Sequence, residues 1–150
     1  CVATPTKRPH PAALLKVELF WKALGGRLLS LPPELHDALF SRSSHLPHLV
    51  AATLAASILD PKHPKQQAAL CATGFRDTTR IASGSPEMWR DIALANRLQL
   101  RRALDNFVRE LQRVQRILRR GQAVEVEGLF QAAKERRDRW RLGCVSASPE

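Results

Sequence analysis

The chain has no tyrosine, one methionine and only 5% aromatic residues. Proteins that hold single-stranded nucleic acid stack its bases on aromatic platforms, and few are on offer here. The three cysteines, Cys1, Cys71 and Cys144, are odd in number, scattered and never in a CxxC pair. That argues against a disulfide framework and for reduced thiols in a cytoplasmic protein. Long apolar runs are missing too. The best candidate, Leu46 to Leu59, is interrupted by Pro47 and His48 and is too short to span a bilayer, so no membrane partner is expected. Lys7, Arg8 and the prolines Pro5, Pro9 and Pro11 keep the first residues from reading as a signal peptide. No GxGxxG occurs, which leaves no loop to cradle the phosphates of a dinucleotide.

What is present is enough for a core. A chain of 150 residues with 44% hydrophobic content fits one domain, and compact chains of that size bury roughly 68–70% of their unfolded surface. The net charge is +10, concentrated between Arg97 and Arg141, where thirteen Arg or Lys face six Asp or Glu. A basic excess raises nucleic acid as a partner. These charges alternate with apolar residues at helical spacing, however, and read as solvated helix faces. No nucleic-acid partner is expected.

The pattern along the chain is helical. Cys1 to Thr6 is a short β-prone run halted by proline. Apolar residues then recur at three and four from Leu14 to Leu24 and stop at Gly25-Gly26. Arg27 to Leu31 could be a short strand. Pro33 and Glu34 suit the first turn of a second helix, which Pro47 should kink or restart. Leu49 to Leu59 is Ala-rich and nearly all apolar, as in a helix buried in a core or between subunits. Asp60 to Pro64 reads as a loop, and Gln66 to Ala72 as a short helix ended by Gly74. Pro86 to about Arg120 reads as one long helix, striped by Leu104, Phe107, Leu111, Val114 and Leu118. A basic amphipathic helix from Val124 to about Leu142 follows. No βαβ alternation is visible, so the expected fold is all-α with a short β remnant at the amino terminus. Residues 1–8 form that remnant and a linker, 9–145 the helical domain and 146–150 a frayed tail.

Two polar segments stand out. In the first, His45 and His48 are three apart, on one face of a helix, with His36 and Asp37 upstream. The pair could ligate metal, donate to backbone carbonyls, or line a pocket for an anion. The spacing to any further ligand does not close, and no metal is expected. In the second, Arg76, Asp77 and Arg80 follow Gly74. Asp77 and Arg80 could pair on the surface. Alternatively, a glycine-started turn with an unpaired guanidinium would make a good carboxylate receptor. Trp89 and Asn96 follow on the next helical stretch, as packing residues or as pocket walls.

His36-Asp37, Ser44-His45-Leu46-Pro47-His48, Gly74-Phe75-Arg76-Asp77-Thr78-Thr79-Arg80-Ile81-Ala82, Trp89-Arg90-Asp91-Ile92 and Asn96 together resemble the prephenate/arogenate dehydrogenase family. The match in order and spacing runs from about Thr4 to Asn96. The resemblance implies the carboxy-terminal helical dimerisation domain of an enzyme whose Rossmann domain, bearing NAD or NADP, precedes it. Hydride would leave a cyclohexadiene ring for the nicotinamide as the ring carboxylate departs as carbon dioxide, a step of tyrosine biosynthesis. It implies Arg80 as the anchor of a substrate carboxylate, His45, His48 and Trp89 as pocket walls, Asp77 as a charged partner of Arg80, and Gly74 and Asn96 as further substrate-pocket residues. The family's catalytic histidine belongs to the Rossmann domain, so no catalytic residue is expected here and the chain alone should be inactive. The expected partners are a second copy of the chain and prephenate or arogenate. The runner-up is a non-catalytic helical dimer acting as an interaction or regulatory module.

Overall fold

A computed structural model describes residues 1–59 and 65–146. The expected loop at Asp60 to Pro64 and the tail beyond Ser146 lie outside the described residues. The chain divides into two compact units, Cys1–Leu104 and Asp105–Glu150. The fold is all-α apart from two short strands.

The first unit opens with β1 (Val2–Ala3), α1 (Pro11–Ala23) and β2 (Leu29–Ser30). The strands pair in parallel, Val2 against Leu29 and Ala3 against Ser30. The reading of the sequence found no βαβ alternation; the structure contains one, in miniature. A two-residue strand carries no periodicity, so only the pairing reveals it. Pro11 starts α1 within its first turn. Gly25 ends it at φ +75°, with Gly25 N–H donating to Lys22 O and Gly26 N–H to Trp21 O. That paired closure needs the left-handed conformation that glycine adopts without strain.

Next come α2 (Pro33–Phe40), a π-helical turn at Ser41–His45 and α3 (Leu46–Ile58), running as one irregular rod. Pro47 has no N–H, and its ring crowds the carbonyl four residues back, that of Ser43. The wider turn falls just ahead of it, where π-bulges resolve such conflicts. The hydroxyls of Ser41 and Ser43 donate back to Ala38 O and Leu39 O, at 2.8 and 3.0 Å. Ala51 of α3 is buried, but Ala52, Thr53, Ala56 and Ser57 are exposed. The expectation of a helix buried on most sides is therefore not met within one chain.

Two other expectations need correction. The residues after the loop form two helices, α4 (Lys65–Ala69) and α5 (Thr73–Thr79), and Gly74 lies inside the first turn of α5. It is not a helix stop, because nothing around it demands a left-handed backbone: its φ is not positive. A 3-10 turn at Arg80–Ser83 leads to α6 (Pro86–Ala95), capped by Ser85, whose Oγ accepts from Met88 N–H. The long helix expected from Pro86 to Arg120 is interrupted at Asn96, after which α7 (Arg97–Arg120) begins. Asn96 is buried, and its Nδ2 donates at 2.8 Å to the backbone carbonyl of Asp37, 59 positions away. Asparagine side chains compete for backbone partners and so favour helix ends. Leu100 and Ala103 complete the buried apolar set of this unit with Ala51.

In the second unit the rest of α7 buries Ile117, and Gly121, at φ +66°, turns the chain into α8 (Ala123–Ser146). From Gln131 to Arg141 every residue is exposed.

Removing the Asn96 amide leaves a carbonyl of α2 without its cross-helix donor. Asn96→Ala should lower unfolding free energy by about 1–3 kcal/mol, read as a reduced midpoint in urea at unchanged slope. Asn96→Asp, which sets a carboxylate against a carbonyl, should cost more. Equal midpoints in all three proteins would show that the tie contributes nothing.

Candidate functional site

The π turn and α3 bring His45 and His48 to one side of the first unit, and α6 brings Trp89 to meet them. The His48 imidazole stacks on the Trp89 ring, with centroids 3.6 Å apart and planes inclined by 25°. His45 meets the same indole edge-on at 6.4 Å. These residues open on a cavity of about 300 Å³. Its remaining wall is apolar, with Leu49 from α3, Ile81 and Ala82 from the 3-10 turn, and Ile92 from α6. A mostly apolar pocket of this size with a few convergent polar groups is the usual form of a small-molecule site.

Both imidazoles are oriented by their Nδ1 atoms. His48 Nδ1 lies 3.0 Å from Ser44 O, and His45 Nδ1 lies 3.4 Å from Asn96 Nδ2. Burial holds the His45 pKa below the ordinary imidazole value. The Asp37 carboxylate opposes that shift, while His36 and His48 add to it. His36 turns elsewhere, stacking on Phe40 at 4.2 Å with its Nδ1 3.0 Å from Asp37 Oδ1.

The residues singled out in the sequence therefore divide. His45, His48 and Trp89 come together around the cavity, and Asn96 supports His45 from behind. Gly74, Asp77 and Arg80 do not line it. Asp77 is exposed and faces Arg76 Nε at 3.6 Å, so the expected partnership of Asp77 with Arg80 is not formed. Arg80 is exposed and directly precedes the wall residues Ile81 and Ala82. The glycine-started turn expected before it is the interior of a seven-residue helix.

One residue that shapes the site escaped the sequence reading. A Cβ on Gly84 would stand 2.7 Å from Trp89 Nε1 and 3.0 Å from its Cδ1. The missing side chain is what lets the indole lie against this turn. The only hint was Gly84-Ser85-Pro86, a helix-start signal whose glycine had no evident purpose.

Among the described residues no three His, Cys, Asp or Glu side chains gather as a metal would require. Nor do the residues present fit a dinucleotide. The parallel strand pair leads into proline-punctuated sequence, not a glycine-rich turn, and the described glycines are dispersed over separate elements. No helix among the described residues is long and apolar enough to cross a membrane.

The chain is similar to several known proteins. Residues 32–134 match the family model described as "Prephenate dehydrogenase, dimerization domain". Prephenate dehydrogenase of Bacillus subtilis is 33% identical over 99% of this chain and 40% of its own length. Cyclohexadienyl dehydrogenase of Zymomonas mobilis is 31% identical over 75% of this chain and 39% of its own. Among solved structures, prephenate dehydrogenase from Aquifex aeolicus, in complex with hydroxyphenyl propionate and NAD+, superposes with a TM-score of 0.81. It is 34% identical, over 91% of this chain and 49% of that one. Synechocystis arogenate dehydrogenase gives the same TM-score at 29% identity, over 93% and 51%. The chain thus spans about half the length of these relatives or less. Since the matched stretch runs from α2 into α8 and contains the whole His45–His48–Trp89 cluster, the chain belongs to the prephenate dehydrogenase dimerization-domain family.

Proposed function

We propose that this chain supplies the helical wall of the substrate pocket and the subunit interface of a cytoplasmic NAD- or NADP-dependent prephenate or arogenate dehydrogenase. The observation that carries the reading is the apolar cavity bounded by Trp89 and two imidazoles in a chain of this family. The Aquifex relative holds hydroxyphenyl propionate, a flat ring with a short carboxylate arm. A ligand of that shape suits a mostly apolar cavity bordered by an indole and two imidazoles. The cofactor phosphates are held by residues other than those described here, and no residue of this chain is assigned to hydride or proton transfer.

Arg80 is the proposed anchor for the substrate carboxylate. It is exposed beside the cavity wall and has no ion-pair partner among the described residues. A guanidinium offers a carboxylate two parallel donors, which lysine cannot reproduce. Gly74 and Asp77, on α5 just before Arg80, are proposed to border the same ligand in the assembled enzyme.

The interface is proposed to be a homodimer. Leu111, Leu118, Phe130 and Trp140 are between 47% and 68% exposed in one chain. Large apolar side chains left uncovered to that degree on α7 and α8 are more than a soluble monomer normally shows.

Three outcomes test this reading. In an enzyme carrying this domain, Arg80→Ala should raise KM for the keto or amino acid substrate by roughly 10- to 100-fold, from the loss of charge-assisted hydrogen bonds. kcat should hold, and Arg76→Ala, whose guanidinium faces Asp77, should change little. Steady-state kinetics in which Arg76 matters and Arg80 does not would identify the other arginine as the anchor. Sedimentation of the chain at tens of micromolar, a concentration on the order of that at which obligate pairs persist, should give a dimer burying roughly 2,000 Å² or more; a clean monomer overturns the interface. Finally, the chain alone, mixed with prephenate or arogenate and either oxidised nicotinamide cofactor, should form no reduced cofactor by absorbance. Turnover would mean that the chemistry resides in these residues.

A further inference from the structure

The two cavity histidines are fixed by different kinds of partner, and the difference has a chemical consequence. The Ser44 carbonyl can only accept, so His48 Nδ1, at 3.0 Å, must carry the proton and donate it. In a neutral imidazole the other nitrogen then holds a lone pair. His45 is fixed in the opposite sense. The Asp37 carbonyl also can only accept, so it is the nitrogen of the Asn96 amide, and not its oxygen, that faces Asp37 at 2.8 Å. That same nitrogen lies 3.4 Å from His45 Nδ1, and an amide nitrogen has only hydrogens to offer there. His45 Nδ1 therefore accepts, and its proton resides on Nε2. Burial, which disfavours the His45 imidazolium, keeps it in the neutral form that this arrangement needs. Neither Nε2 is bonded to another described residue, and both rings line the cavity.

We propose that the cavity holds its two imidazoles as opposite tautomers, so that it presents one N–H donor, from His45, beside one lone pair, from His48, and takes a ligand edge carrying an acceptor next to a donor. Asn96 is the positioning residue, carrying the polarity of a backbone carbonyl through its amide to the far nitrogen of His45. On the reading of the cavity as a substrate pocket, on which this part rests, the pair selects an α-amino acid end over the α-keto equivalent. An ammonium donates to the His48 lone pair while a carboxylate oxygen accepts from His45. A keto oxygen in the ammonium's place would set lone pair against lone pair, and an unmatched polar contact of this kind discriminates strongly. The stack on Trp89 holds the His48 ring plane, so the lone pair keeps its direction.

The test is long-range ¹H–¹⁵N correlation of the imidazole nitrogens in the 150-residue chain at alkaline pH. His45 is expected with its proton on Nε2 and His48 with its proton on Nδ1. In Asn96→Ala, His45 should relax to a mixture while His48 stays unchanged, which separates loss of the amide from loss of the fold. Finding the two histidines in the same tautomer in the unaltered chain overturns the proposal. So does a His45 tautomer indifferent to Asn96→Ala in a variant whose His48 signals remain native. L-phenylalanine and phenylpyruvate, which share a ring and differ at the α-carbon, probe the ligand edge. The amino acid should perturb His48 Nε2 and bind about tenfold more tightly, the worth of one hydrogen bond to a charged group. Equal or tighter binding of the keto acid overturns the selectivity. Opposite tautomers with neither probe bound would count instead against the cavity as the substrate site.

Discussion

The site depends first on one buried amide. Asn96 stands where α6 gives way to α7, and its nitrogen bonds the carbonyl of Asp37 in α2. That contact joins stretches of chain 59 positions apart, and both sides of the cavity hang from it. α6 carries Trp89 and Ile92 on one side of the break; Leu100 lies four residues beyond it on α7. A buried polar group without a partner costs free energy, so the amide and the carbonyl enforce each other. The interruption of an otherwise continuous helix is the local cost of that arrangement, and the hydrogen bond offsets it.

The second constraint is the wide turn at Ser41–His45. Because Pro47 cannot continue a regular helix without crowding the carbonyl of Ser43, the rod from α2 to α3 takes one π-helical turn between them. His45 ends that turn and His48 lies in the first turn of α3. The three-residue spacing that places two side chains on one face of a regular helix is here distributed over two helical geometries. That difference lets His48 lie flat on Trp89 while His45 meets the same ring edge-on.

Charge and apolarity are carried by different residues. The cavity wall holds no carboxylate and no guanidinium of its own. Arg80 stands next to it in sequence but outside it, exposed to water. The basic side chains between Arg97 and Arg141 are exposed as well and form local pairs such as Arg113 with Glu110 and Arg120 with Glu125. Surface pairs of this kind contribute little to stability. What α7 and α8 offer instead is uncovered apolar surface at Leu111, Leu118 and Phe130.

Much of this was already written in the sequence. Recurrence of apolar residues at three and four, prolines in first turns and glycines after last turns determined the helical class and the approximate helix ends. The motifs around His45, His48 and Trp89 brought forward the side chains that the fold gathers around one cavity, because polar residues beside an apolar helix must be satisfied or face a cavity. Tertiary structure decided the rest. The two-residue strands are too short to carry a period, and only their hydrogen bonds define them. The break at Asn96 and the vacancy required at Gly84 are each set by a residue distant along the chain or across the turn, which local pattern cannot encode. Asp77 turned to Arg76 instead of Arg80 because side-chain direction, and not spacing alone, selects the partner. The identities of the histidines were sequence; the proton position on His48 follows from the Ser44 carbonyl one turn before it, and that on His45 from an Asn96 amide oriented by the Asp37 carbonyl, which only the fold brings within reach.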